Sequence, residues 1–298
     1  VSTPDGAAVV PKKSGSFADL KVRVASALVM AVLAVGTLWA GGVAFTLFWL
    51  AAALAIAWEW QNLIGGGRYR ARFYVTGASV ALACAFAAQL HWEAAVGVLA
   101  LGGLVAAGLA DRGLRLWSGA GALYAGAPIV AICLLKPPVS ALGLATLADG
   151  PATVRAIVWL FAVVWGTDVM AYFGGRLIGG PKLWPRVSAG KTWSGTLVGV
   201  GSGAALGLLV ATFRNDASVA LAPMFLVGFV AAAIAQAGDL LESSVKRRFG
   251  VKDSSRLIPG HGGVMDRLDG FITAAVFAAL VGAARGWPAV AEGLFQWR

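Results

Sequence analysis

Apolar stretches about as long as a bilayer is thick recur along this chain, and no other feature restricts its fold as strongly. They fall at about 24–40, 43–63, 74–90, 94–110, 118–135, 155–175, 195–213, 219–240 and 270–285, and most reach the roughly 17–25 residues a helix needs to cross the hydrocarbon core. With 59% hydrophobic and 13% charged residues among 298, the chain has too little polar surface to coat a water-soluble globule of its size. The expected fold class is therefore all-α: a polytopic transmembrane helical bundle of about nine spans, with no separate soluble domain.

Residues 1–20 hold Pro4, Pro11, Lys12 and Lys13 without apolar periodicity, which predicts a flexible cytoplasmic tail. Residues 21–298 are expected to form one integral membrane domain, with the catalytic part at about 155–285. Lys21 and Arg23 precede the first run as in a signal peptide, but its core is long and no small-residue cleavage site follows, so a retained span is expected. A cytoplasmic N-terminus puts 19 of the 24 Lys and Arg inside, with Lys136, Arg155, Arg214, Arg285 and Arg298 outside, so the C-terminus is expected outside. The net charge of +10 then records loop topology and contact with membrane lipids, and nucleic acid is excluded as a partner.

Smaller features have packing explanations. Cys84 and Cys133 lie in apolar runs without metal-ligand spacing and act as small fillers. His91, Trp92 and Glu93 fall in a connection short enough for an antiparallel helical hairpin. Gly195, Gly199, Gly203 and Gly207 give one helix a bare face for close packing. Trp39, Trp58 and Trp60 are expected at the headgroup level, with Glu59 at the interface beside them.

Three polar clusters interrupt the apolar pattern in the C-terminal half, all on the side assigned to the cytoplasm. Asp168 is a carboxylate inside a span, which is costly unless paired, neutralised or metal-bound. Arg176 is one candidate partner. Ser188, Lys191 and Thr192 lie in a basic loop leading into a helix, where backbone N–H groups favour an anionic phosphate. Pro185 stands where a Walker A loop needs glycine, so that motif is absent. Asp239, Glu242, Ser243 and Lys246 recur at helical spacing on one face, a set of hard oxygen ligands suited to Mg²⁺. Asp266 and Asp269 add a second carboxylate pair, and the intervening stretch supplies Lys246, Arg247, Arg248, Lys252 and Arg256 with a Pro259–Gly263 turn. The combination points to metal-assisted chemistry on a phosphate. His261 has no fixed partner in the sequence, and its role stays open.

Ser243, Lys246, Arg247, Lys252, Asp253, Pro259, His261, Gly262, Gly263, Asp266, Arg267 and Asp269 together resemble the signature of the phosphatidate cytidylyltransferases, or CDP-diglyceride synthetases. The resemblance extends over residues 165–270. It departs at Ala189 and Ser194, where the family pattern has proline and glutamate.

The resemblance implies that phosphatidic acid attacks the α-phosphorus of CTP, giving CDP-diacylglycerol and pyrophosphate in phospholipid biosynthesis at a bacterial-type inner membrane. It implies Mg²⁺ on Asp239 and Asp266, with Glu242 and Ser243 as further ligands and a monovalent cation such as K⁺ beside it. Lys246, Arg247 and Lys191 would steady the triphosphate, and Asp269 joins the catalytic set. Asp168, Ser188, Thr192, Lys252, Asp253, His261 and Arg267 fall to substrate binding. A homodimer is implied as well. The rival readings are a CTP-dependent transferase or kinase acting on another lipid, and an anionic-solute transporter.

Overall fold

A computed structural model describes residues 17–137, 150–213 and 219–297. Among them run nine long helices: α1 (Phe17–Ala40), α2 (Gly42–Ile64), α3 (Tyr69–Ala87), α4 (Trp92–Leu109), α5 (Arg115–Leu135), α6 (Pro151–Leu177), α7 (Trp193–Thr212), α8 (Leu221–Arg248) and α9 (Met265–Gly286). A short helix α10 (Val290–Phe295) follows. The expected tail falls largely outside the described residues, as do Arg214 and Arg298.

Seven segments are long and apolar enough to cross a membrane: α2, α4, α5 with its preceding turn, and α6 to α9. The chain is thus an integral membrane protein. The apolar part of α1, Val24–Ala40, is shorter, and α3 carries Arg70 and Arg72 in its first turn. Arg72 was expected in a cytoplasmic loop but is buried, donating to the Gly65 carbonyl. The all-α expectation misses one element: a small antiparallel hairpin of β1 (Lys182–Trp184) and β2 (Ser188–Thr192).

An aromatic stack from three helices centres the core. The Trp49 ring of α2 lies 4.7 Å from Phe271 of α9, which lies 5.7 Å from Phe161 of α6. The bare face of α7 closes against α6: a Cβ on Gly195 would stand 2.6 Å from the Ala171 carbonyl, and one on Gly199 would stand 2.6 Å from that of Thr167. Larger residues there would force the two backbones apart. Helices α3 and α4 form the expected hairpin, turning at Leu90 with φ of 63°. Cys84 and Cys133 are buried free thiols with sulfurs 3.8 Å apart.

The polar loops gather at one end of the bundle. Gly67 donates to Asp111 at 3.0 Å, Arg248 covers the Trp117 ring at 5.2 Å, and Ser255 reaches Glu59 at 2.6 Å. At the other end Val219 bridges to Trp297. Two interfacial expectations fail here. Trp60 is buried and donates to the Trp117 carbonyl at 2.7 Å, and Glu59 is fully buried, because each has found polar partners inside the protein.

Candidate active site

Helix α8 is the spine of the site. It continues past the apolar stretch to Arg248, which carries Asp239, Glu242, Ser243 and Lys246 on one face. Glycines decide what that face meets. A Cβ on Gly238 would stand 2.8 Å from the Asp269 carbonyl, and one on Gly270 would stand 3.0 Å from that of Ala235. Thr273 adds a 3.0 Å bond to the Ile234 carbonyl. The backbones of α8 and α9 therefore approach closely, and Asp269 arrives beside Asp239 and Glu242.

These three carboxylates each offer an oxygen within 4.8 Å of the others. Glu242 is fully buried and neither of its oxygens has a hydrogen-bond partner. Lys246 Nζ lies 2.9 Å from Glu242 Oε2, an ionic contact without hydrogen-bond geometry. A buried carboxylate without a hydrogen-bond partner, in ionic contact with a single lysine and beside two further carboxylates, fits a hard divalent cation, which takes oxygen ligands of this kind. Ser243 Oγ, 3.3 Å from Asp239 Oδ1, puts one more oxygen alongside.

Asp266 was expected on the ion with Asp239 but stands apart from this cluster. It accepts from Lys246 Nζ at 2.6 Å, Gly263 N–H at 2.7 Å, Ser254 N–H at 2.9 Å and Ser254 Oγ at 3.0 Å. These four donors take up most of its acceptor capacity and tie the returning loop to α8.

The hairpin brings the second cluster to the first. Lys191 Nζ lies 2.5 Å from Asp239 Oδ2 and donates to Gln236 Oε1 at 2.9 Å. Gln236 Nε2 in turn donates to Asp168 Oδ1 at 3.1 Å. Arg176 is not the partner of Asp168; it donates to the Tyr172 hydroxyl at 2.7 Å. Thr192 caps α7, accepting from Gly195 N–H at 3.1 Å, and Ser194 bonds the Gly179 carbonyl. Ser188 is part-buried at the start of β2, opposite Trp184.

The remaining expected residues are not part of this cluster. Arg247 is exposed and donates to the Val251 carbonyl at 3.1 Å. Lys252 and Asp253 are exposed. Arg267 grips the His261 carbonyl with Nε at 3.1 Å and Nη2 at 2.8 Å. His261 Nδ1 has Ser26 Oγ of α1 at 2.7 Å, so the histidine fastens the glycine turn to the first helix.

Two site residues escaped the sequence reading. Gln236 sits three residues before Asp239, so the same periodicity, extended one turn, would have found it. Tyr124 of α5 carries a buried hydroxyl without a hydrogen-bond partner among the described residues, within the field of Glu242, Asp269 and Asp239. Nothing in the local sequence marks it.

Membrane-length helices that end in gathered carboxylates and lysines define a class: membrane enzymes acting on phosphate-bearing substrates. Comparison with known proteins narrows this. The Cytidylyltransferase family model matches residues 21–284. A phosphatidate cytidylyltransferase of Brucella abortus (strain 2308) is 38% identical over 295 residues, covering 94% of this chain and 99% of the relative. One from Pseudomonas aeruginosa is 35% identical over 279 residues, covering 91% and 99%. One from Haemophilus influenzae is 44% identical over 123 residues, covering 40% and 42%. The chain belongs to the phosphatidate cytidylyltransferase family.

Proposed function

We infer that this chain is the nucleotidyltransferase that makes CDP-diacylglycerol from CTP and phosphatidic acid in phospholipid biosynthesis. A phosphatidate oxygen forms a bond to the α-phosphorus of CTP, the bond from that phosphorus to the bridging oxygen breaks, and pyrophosphate leaves with the electron pair. The observation that carries this reading is the Asp239, Glu242 and Asp269 cluster with Lys191 against it.

Asp239, Glu242 and Asp269 would hold Mg²⁺, with Ser243 beside them for a monovalent ion such as K⁺. The metal supplies charge neutralisation at the phosphates and the leaving group. Lys191, oriented by Gln236, presents its ammonium to the triphosphate. Lys246 holds Asp266 and Glu242 at fixed separation. Arg247, Lys252, Asp253 and Arg267 are exposed and would meet incoming substrates first. The phosphatidate nucleophile is already ionised, so no strong base is required, and His261 serves the turn that carries it.

The orientation belongs to the same reading. The nine helices would span with the N-terminus and the site in the cytoplasm and the C-terminus outside, as one membrane domain over 21–298 with its catalytic part at 155–285. The basic residues grouped around the site end support this. So do bacterial relatives for an inner-membrane location. A homodimer completes it.

The test is pyrophosphate release by purified protein given CTP and phosphatidate, with and without Mg²⁺. Mg²⁺-dependent release together with CDP-lipid is expected. Turnover only with another lipid acceptor would reassign the substrate, and solute flux without pyrophosphate would overturn the enzyme reading.

A further inference from the structure

We propose that Glu59, in the N-terminal half and outside every motif of the site, is a positioning residue that sets the loop of residues 252–264 and the start of α9. Asp266 and Asp269 are thereby held in place. Glu59 lies near the end of α2 and is fully buried. Its Oε1 accepts from Ser255 Oγ at 2.6 Å and Val264 N–H at 2.8 Å; its Oε2 accepts from Met265 N–H at 2.7 Å and Ser254 Oγ at 3.2 Å.

Val264 and Met265 are the cap and first residue of α9, and the Val264 side chain provides no acceptor. Glu59 does from a distant helix what a capping Ser or Asp does locally. It satisfies free N–H groups and places negative charge at the positive end of the helix. Gly263 belongs to the same arrangement: a Cβ there would stand 2.5 Å from Glu59 Oε1 and collide with Ser254 Oγ. Only glycine lets the carboxylate reach the backbone.

The connection to the chemistry runs through Ser254. Its hydroxyl has one proton and lies 3.2 Å from Glu59 and 3.0 Å from Asp266. Asp266 holds Lys246, and Lys246 contacts Glu242. Asp269 follows Met265 by one helical turn, so the register fixed at Met265 sets where Asp269 points. This inference rests on the Asp239, Glu242 and Asp269 cluster being the reaction site.

A carboxylate that served folding alone would change the yield of folded enzyme and leave the properties of the folded fraction intact. A positioning residue changes the folded enzyme itself. The experiment compares full-length wild type, Glu59→Gln, Glu59→Asp and Ser255→Ala in lipid. It measures hydrogen exchange of backbone amides in 252–265, kcat and KM per folded molecule, and the Mg²⁺ concentration for half-maximal turnover.

Glu59→Gln is expected to speed exchange in 252–265 and lower kcat, each on the order of tenfold, and to raise the Mg²⁺ requirement. Glu59→Asp, with the charge kept, is expected to recover part of kcat. Ser255→Ala, which spares the carboxylate, moves the same quantities by a few-fold. Unchanged exchange in 252–265, or faster exchange with normal kcat and Mg²⁺ requirement, would overturn the proposal, as would normal turnover in the folded fraction of poorly folding variants. If wild-type turnover ignores Mg²⁺, the metal assignment falls, while exchange and kcat still decide the role of Glu59.

Discussion

Replacing Gln236 with methionine keeps the volume and removes both polar atoms of a bridge between two charged groups. Gln236 is buried at 4% exposure. Its oxygen holds Lys191 at 2.9 Å and its amide nitrogen holds Asp168 at 3.1 Å. A hydrogen bond to a charged group contributes roughly 1.5–3 kcal/mol. Asp168 retains exposed surface, which discounts its share. About 2–3 kcal/mol remains for orienting Lys191, and if that is expressed in the transition state, Gln236→Met lowers kcat/KM by roughly 30- to 150-fold. Gln236→Glu should fare differently. It still accepts from Lys191, but it cannot donate to Asp168 and repels it. Steady-state pyrophosphate release over a CTP series, with melting temperature as the folding control, measures both. A loss under about threefold in well-folded Gln236→Met would refute the reasoning that Gln236 orients Lys191.

Other consequences are equally direct. Asp239→Asn and Asp269→Asn should each abolish most Mg²⁺-dependent turnover with normal membrane insertion; near-normal rates in both would remove the metal assignment. Asp266→Asn leaves Lys246 and the Ser254 and Gly263 donors poorly matched, so protease should cut within 252–264 faster than in wild type, and equal cleavage rates would contradict its anchoring role. Gly238→Val forces a side chain into the 2.8 Å gap to the Asp269 carbonyl, with an expected cost of about 1–3 kcal/mol, read as a lowered melting temperature and a raised Mg²⁺ requirement. Thr192→Val removes the cap of α7 and should cost about 1 kcal/mol in thermal unfolding.

The helices were legible because each must satisfy its own backbone inside the membrane, and the apolar runs record that requirement locally. The site face of α8 was legible for a related reason: once the helix is continued, the offsets from Asp239 to Lys246 fix which side chains share a side. The choice between Asp266 and Asp269 was not. Both open α9, and only the contact of Gly270 with Ala235 turns one toward α8 and leaves the other for the loop. Glu59 was misread because its partners stand some two hundred residues away, at separations of 195 and 206. A carboxylate beside two tryptophans looks interfacial until the loop that buries it is known.

The glycine seam between α6 and α7 also has a mechanical meaning. Locked backbone to backbone along Gly195, Gly199 and Gly203, with Gly207 against the Val163 and Trp159 side chains, the two helices form a stiff beam whose tip is the hairpin carrying Lys191. Lys191 and Asp168 are on that beam, while Asp239 and Gln236 are on α8. In the proposed function the two would close on the nucleotide as a jaw, with its angle set deep within the helix bundle. A methyl group added at Gly199, 2.6 Å from the Thr167 carbonyl, would act as a wedge at the fulcrum and shift Lys191 without touching it.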